Sequence, residues 1–235
     1  MQGESQSPRF VRVTQASIEI DNEEPIVGRR DQRIRMLRKQ LIRTGLDLFC
    51  KKGFGDVTVT EIANIVGVSS RTFFRHFAVK EDIVFPTEAH RHMDKLLHST
   101  SPHVPVTEAL RDTLLSIGRL HDARPLETRR ILQMIYGTPS LTGRLHYELT
   151  RLQKSCDDFT RERMPDLTQQ GAFLLSVQNA AMIAAYHSAV RHWAMECKKG
   201  AFSPWFIAAL GTLPDLADGI GTLTSLCPPK SAAPS

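Results

Sequence analysis

From about residue 31 the apolar positions recur at helical spacing. Ile34, Leu37, Leu41, Leu48 and Phe49 form one stripe, and Arg33, Arg35, Arg38, Lys39 and Arg43 lie largely off it. The pattern predicts an amphipathic basic helix from near Asp31 to near Gly53. Gly45 interrupts it at a cost of about 1 kcal/mol relative to alanine, which indicates either a close helix contact or a tolerated weakness. A second helix opens at Thr58-Val59-Thr60-Glu61, the order of a capping box, and continues through Ile62, Ala63, Ile65 and Val66. It should stop at Gly67, a residue type suited to the left-handed conformation after a helix end. Ser69 or Ser70 can cap a third helix within a few residues, so the segment predicts two short helices joined by a tight turn, a helix-turn-helix.

The third helix divides by angle. With Arg71 as zero, Phe73 falls near 200° and Phe77 near 240°, whereas Arg71 and Arg75 lie at about 0° and 40°, with Thr72 and Phe74 on the flanks. The phenylalanines should pack inward and the arginines face out. Such a face suits a major groove, because arginine forks two hydrogen bonds to guanine O6 and N7 and threonine reaches a phosphate or a thymine methyl. The plainer alternative is that both arginines only solvate the helix.

Beyond Lys80 the chain reads as helices punctuated by Pro102, Pro105, Pro125, Pro139, Pro165, Pro204 and Pro214, with no alternating strand of useful length. Helices are expected at 80–98, 106–121, 126–136, 140–163, 169–198 and 204–212, with a weaker continuation to about Leu226. The predicted fold class is all-α. Residues 1–29 read as a flexible arm, 30–79 as a helix-turn-helix domain, 80–226 as a larger helical domain, and 227–235 as a disordered tail.

Charge sharpens this division. The overall +5 resolves into net −3 over residues 1–27, +8 over 28–80 and 0 over 81–235. A basic block on an otherwise neutral chain is the footprint of a module that binds a polyanion. The four cysteines, Cys50, Cys156, Cys197 and Cys227, are scattered without a C-x-x-C pair, so neither a disulfide framework nor a cysteine zinc site is indicated and a cytoplasmic setting is expected. Leu167–Val190 carries no Asp, Glu, Lys or Arg, yet Gln169, Gln170, Ser176, Gln178, Asn179, His187 and Ser188 argue against a lipid-facing span. A helix buried at an interface or in a core is expected instead, and no membrane association.

The run Thr58-Val-Thr-Glu-Ile-Ala-Asn-Ile-Val-Gly-Val-Ser-Ser-Arg-Thr-Phe-Phe-Arg-His-Phe77, followed by Lys80-Glu81, closely resembles the DNA-binding domain of TetR-family transcriptional regulators. With the resemblance, the expected DNA-facing set is Thr58, Thr60, Ser69, Ser70, Arg71, Thr72, Phe74, Arg75, His76 and Lys80. One departure stands out: the family usually places tyrosine at the position of Phe74, whose ring has no hydroxyl for a phosphate. Lys80 matches the family lysine that lies beside the DNA backbone. The resemblance also implies a homodimer paired through the last two long helices, and hence a palindromic operator on double-stranded DNA.

The segments Glu127-Thr-Arg-Arg-Ile-Leu-Gln-Met-Ile-Tyr136, Thr138-Pro-Ser-Leu141 and Ala189-Val-Arg-His-Trp193 are similar to a subgroup of that family, mycofactocin-system regulators among them, with acyl-CoA-like ligands. A small apolar effector is therefore expected, with Met134, Tyr136, Tyr147, Tyr186, His187 and Trp193 as candidate pocket residues; for any one of them ordinary core packing is the competing reading. No catalytic residue, metal site or cofactor is expected: the chain contains no Gly-x-Gly-x-x-Gly, Walker loop, Gly-x-Ser-x-Gly or His-Glu-x-x-His, and neither His90/His92 nor His187/His192 shares a helix face. The expected function is a ligand-released transcriptional repressor. The alternative is a helical small-molecule-binding protein without sequence-specific DNA binding.

Overall fold

The computed structural model describes residues 28–85, 87–197 and 199–213. All regular structure among them is helical, matching the expected all-α class: α1 Arg29–Lys52, α2 Val59–Val66, α3 Ser70–Phe74, a 3-10 turn Lys80–Ile83, α4 Thr87–Ser99, α5 Val106–Ala123, α6 Pro125–Gly137, α7 Pro139–Arg163, α8 Gln169–Met195 and α9 Ser203–Leu210. The arm up to Val27 and the stretch from Pro214, including the expected continuation to Leu226 and the tail, lie outside the described residues. The chain divides into two compact units between Ala89 and His90. Sequence reasoning set that step at residue 80, but Ile83 packs back against α1 and is fully buried, so the residues just after Lys80 stay with the first unit. The expected helix 80–98 is in fact a 3-10 turn and a separate α4; the sequence carries Pro86 between them, which cannot donate to a continuing helix.

In the first unit, α1 buries Leu41, Ile42, Gly45, Leu46 and Phe49, while Ile34, at the start of the expected stripe, is exposed. A Cβ built on Gly45 would lie 2.7 Å from Ile83 Cδ1, so the glycine marks a close contact. Phe49, Phe54, Phe73 and Phe77 join Leu41, Ile62 and Ile83 in the core. Burying side chains of this size contributes about 1.5–3 kcal/mol each, which is how so small a unit holds α2 and the 3-10 turn against α1 and α3 against α2.

The second unit is built around α8, flanked by α5, α6, α7 and α9. Pro125 and Pro139 occupy first-turn positions of α6 and α7, where the missing N–H costs nothing. Trp193, Phe202, Phe206, Leu97, Leu110 and Leu114 are fully enclosed. Asp122, at the end of α5, accepts from the backbone N–H of Phe202 and Ser203 and from the Ser203 hydroxyl, which anchors the start of α9. No helix among the described residues is long and apolar enough to cross a membrane.

Candidate DNA-binding surface and helical-domain cleft

The helix-turn-helix is set by local hydrogen bonds. Thr58 caps α2 by accepting from the Glu61 N–H at 3.1 Å. The reciprocal half of the capping box is replaced by an ion pair, in which Glu61 meets Lys52 from the end of α1. Gly67 ends α2 with φ 81°, the left-handed conformation anticipated for it, and its N–H returns to Ala63 and Asn64 carbonyls. Ser69 then caps α3, accepting from the Thr72 N–H at 3.1 Å, and its hydroxyl also lies 3.0 Å from that of Thr72. Thr60 and Ser70 link α2 to α3 at 3.3 Å through their hydroxyls.

Phe73 and Phe77 face inward with ring centroids 5.2 Å apart, as the angular reading required. The helix is shorter than expected: it ends at Phe74, and His76 and Phe77 both donate to the Phe73 carbonyl as the chain turns to bring Phe77 beneath Phe73. Arg38 of α1 locks this turn by donating to the His76 carbonyl, and its guanidinium lies 4.2 Å from the Phe77 ring centroid. Burial lowers the His76 pKa, and the charges of Arg38 and then Arg75 add to it. Arg71 and Phe74 of α3, and Arg75 just after it, are all exposed. Phe74, 54% exposed, meets Phe73 edge-on at 5.5 Å. A large apolar ring presented to solvent between two arginines suits contact with a thymine methyl or a sugar face.

Lys80 is placed differently from the other candidates. Its ammonium donates to the Phe54 carbonyl at 2.7 Å and the Val57 carbonyl at 2.9 Å, and sits 4.2 Å from the Phe54 ring centroid. Two of its three N–H groups therefore hold the loop between α1 and α2. The sequence shows no sign of this, because the partner carbonyls lie 26 and 23 residues away.

In the second unit the six candidate pocket residues separate. Tyr136 and His187 come together, with ring centroids 5.9 Å apart. The Tyr136 hydroxyl and His187 Nε2 are both buried without a hydrogen-bond partner. Burial pushes the Tyr136 phenol up to about 12, while burial first, then His146 and Arg191, lowers the His187 pKa. Trp193 is enclosed, its indole N–H donating to the Gly200 carbonyl at 3.0 Å. Tyr186 bonds His121 at 2.7 Å and packs edge-on against Phe202 and Phe206, a structural arrangement. Tyr147 is exposed on α7 beneath Arg144, and Met134 is half-buried on α6. A cleft beside His187 is lined also by Ser188, Arg191, His192, Met195 and Glu196. Arg129, which the sequence did not single out, is buried with its guanidinium 4.8 Å from the Trp193 ring centroid. Along α8, Phe173, Val177, Ala184, Ser188 and Met195 form an exposed stripe, and Trp205 and Ile207 of α9 are exposed as well.

Residues 41–85 match the model of bacterial regulatory proteins of the tetR family. The HTH-type transcriptional regulator TcmR of Streptomyces glaucescens is 50% identical over 56 residues, 24% of this chain and 25% of that protein. MftR of Mycobacterium tuberculosis (strain ATCC 25618 / H37Rv), a regulator named for mycofactocin biosynthesis, is 31% identical over 99 residues, 41% of this chain and 50% of its own. The chain thus spans half or less of these relatives. The fatty acid degradation regulator FadR from Bacillus halodurans has a similar fold, with TM-score 0.50 at 18% identity, covering 74% of this chain and 98% of that one. The likeness to the tetR family of bacterial regulatory proteins thus rests on the capped helix-turn-helix at residues 41–85, with both curated relatives matched over only part of their length.

Proposed function

We propose that this protein is a homodimeric transcriptional repressor that binds a palindromic operator and releases it when a small, largely apolar effector enters the helical domain. The observation that carries the reading is the outer face of α3 and its C-cap, where Arg71, Phe74 and Arg75 stand exposed on a base fixed by Phe73, Phe77 and the Ser69 cap. A rigid base lets arginine forks be aimed at base edges without a large ordering cost on binding. Thr60, Ser70 and Thr72 flank this face with hydroxyls suited to phosphates, and the basic residues of α1 add long-range attraction.

Pairing of two copies is supported by the exposed stripe of α8 together with Trp205 and Ile207. An apolar, small-residue helix face of this length is costly in water, and a second copy related by a two-fold axis would cover it. Effector control follows if the ligand binds one conformation of the dimer better than the other, so that operator affinity and effector affinity are coupled reciprocally. Acyl-CoA-like compounds are the first effectors to screen.

The test is a comparison of wild type with Arg71→Ala and Arg75→Ala on operator duplexes bearing single base-pair changes. Each variant should lose discrimination of about 1–3 kcal/mol at the base pair its arginine reads. Operator selectivity unchanged in both variants would show that another face reads the DNA.

A further inference from the structure

The seam between α6 and α8 holds a buried guanidinium that is only partly satisfied among the described residues. Arg129 is 7% exposed, and its Nε and one terminal nitrogen, Nη2, are buried with no hydrogen-bond acceptor. A guanidinium cannot shed its proton, and one face on an indole, here Trp193, does not replace in-plane acceptors for the N–H groups. Burying such a charge with bare N–H groups is among the costlier things a fold can do, and leucine or methionine would fill the same seam without it. Seven residues along α6, about 10 Å by helical rise, the Tyr136 hydroxyl is likewise buried and bare, and it sits beside the bare Nε2 of His187. Gln133, between them, donates to the Ala194 carbonyl and ties the two helices together. His187 also lines the cleft beside α8, with Ser188, Arg191, His192, Met195 and Glu196.

We propose that this seam is an organic-acid site: a carboxylate docks on the open edge of Arg129, an apolar body lies along α6, and an uncharged polar group reaches Tyr136 and His187. The inference rests on the reading of the helical domain as the effector domain and narrows the effector to an amphipathic acid. The chemistry favours a carboxylate because its two oxygens match the two neighbouring N–H groups of the guanidinium edge, and one negative charge balances the one buried cation. The far end favours an uncharged group: burial pushes the Tyr136 phenol up to about 12, and burial first, then His146 and Arg191, lowers the His187 pKa. Arg191 near that end adds attraction for an anion at the cleft, and Glu196 on the cleft wall opposes it.

The experiment is isothermal titration of the full-length protein with octanoate, decanoate and dodecanoate, with their methyl esters, and with decanoyl-CoA. For at least one chain length the acid should bind wild type tenfold or more tightly than its ester, a difference of the size a charge-assisted bidentate contact supplies. Arg129→Met and Arg129→Gln should bind acid and ester alike, with far-UV circular dichroism confirming that each is folded. Equal binding of acid and ester by wild type at all three lengths overturns the proposal, with or without foldable variants. So does decanoyl-CoA binding more tightly than decanoate in an Arg129-dependent way, which would make phosphate the recognised anion. The same preparations are titrated with operator DNA. Selective DNA binding without an acid preference removes the acid site alone, whereas an acid preference without selective DNA binding removes the repressor reading alone.

Discussion

Replacing Lys80 by methionine separates a structural role from a DNA-contacting one. The substitution keeps the aliphatic stem and removes the ammonium, with its bonds to the Phe54 and Val57 carbonyls at 2.7 and 2.9 Å and its position over the Phe54 ring. Lys80 is half-buried and both bonds are only part-buried, so each is counted at about 1 kcal/mol, with about 0.5–1 kcal/mol for the ring contact. The expected loss is about 2–3 kcal/mol. In a unit of this size each kcal/mol moves the midpoint by about 4–8 °C, so the Tm of the first unit should fall by about 10–20 °C. Both tryptophans, Trp193 and Trp205, belong to the second unit. Circular dichroism at 222 nm therefore follows both units, while tryptophan fluorescence follows the second and serves as an internal control. The dichroism transition should drop and the fluorescence transition should stay within a few degrees. Below the lowered Tm, the slope of log K against log salt for operator binding should hardly change. A residue devoted to a phosphate would instead cut that slope by about 0.9 and leave melting unaltered. That second pattern would refute the assignment of Lys80 to the loop.

Gly45→Ala sets two effects against each other: alanine gains about 1 kcal/mol of helix propensity, but its Cβ would lie 2.7 Å from Ile83 Cδ1, and overpacking costs about 1–3 kcal/mol. A net destabilisation of about 1 kcal/mol is expected from the urea midpoint, relieved in part when Ile83→Val removes Cδ1 and leaves the Cγ2 at 3.0 Å; stabilisation by the single substitution would contradict the contact. Acid sensitivity should come from the helical domain. Burial lowers the His121 pKa from 6.5 to about 4 against the weaker opposing influence of Asp122, so between those values the unfolded chain takes up a proton that the folded chain refuses. Stability from this group is complete above about pH 6.5 and is lost as pH falls toward 4, by on the order of 3 kcal/mol. His187, also lowered, acts in the same direction. The Tm followed by tryptophan fluorescence should fall from pH 7 to pH 5, and His121→Gln should flatten that fall; an equally steep fall in His121→Gln would assign the effect elsewhere.

What could be read from the sequence was what local chemistry decides. The Thr58 and Ser69 caps, the left-handed Gly67 and the prolines opening α6 and α7 each act within a few residues, so a one-dimensional reading finds them. The inward pair Phe73 and Phe77 also emerged from angular arithmetic, although the helix carrying them ends before Phe77 because Arg38 and Phe73 draw the chain into a turn. The parts that stayed hidden depend on contacts across long separations. Arg129 and Arg130 are adjacent and alike in sequence, yet the first is buried on Trp193 and the second is exposed. Tyr136, Tyr147 and Tyr186 were equivalent candidates. Packing leaves one hydroxyl bare and buried, one on the surface and one bonded to His121.

The central claim, that α3 reads DNA sequence, is tested most directly by fluorescence anisotropy of the wild-type protein against labelled duplexes tiled across the DNA flanking its own gene, with a scrambled duplex as control, at two salt concentrations. The account predicts tight binding to one fragment over the scramble, at two chains per duplex, weakening steeply with salt as phosphate contacts release counterions. Equal, weak binding to every fragment and to the scramble would contradict it.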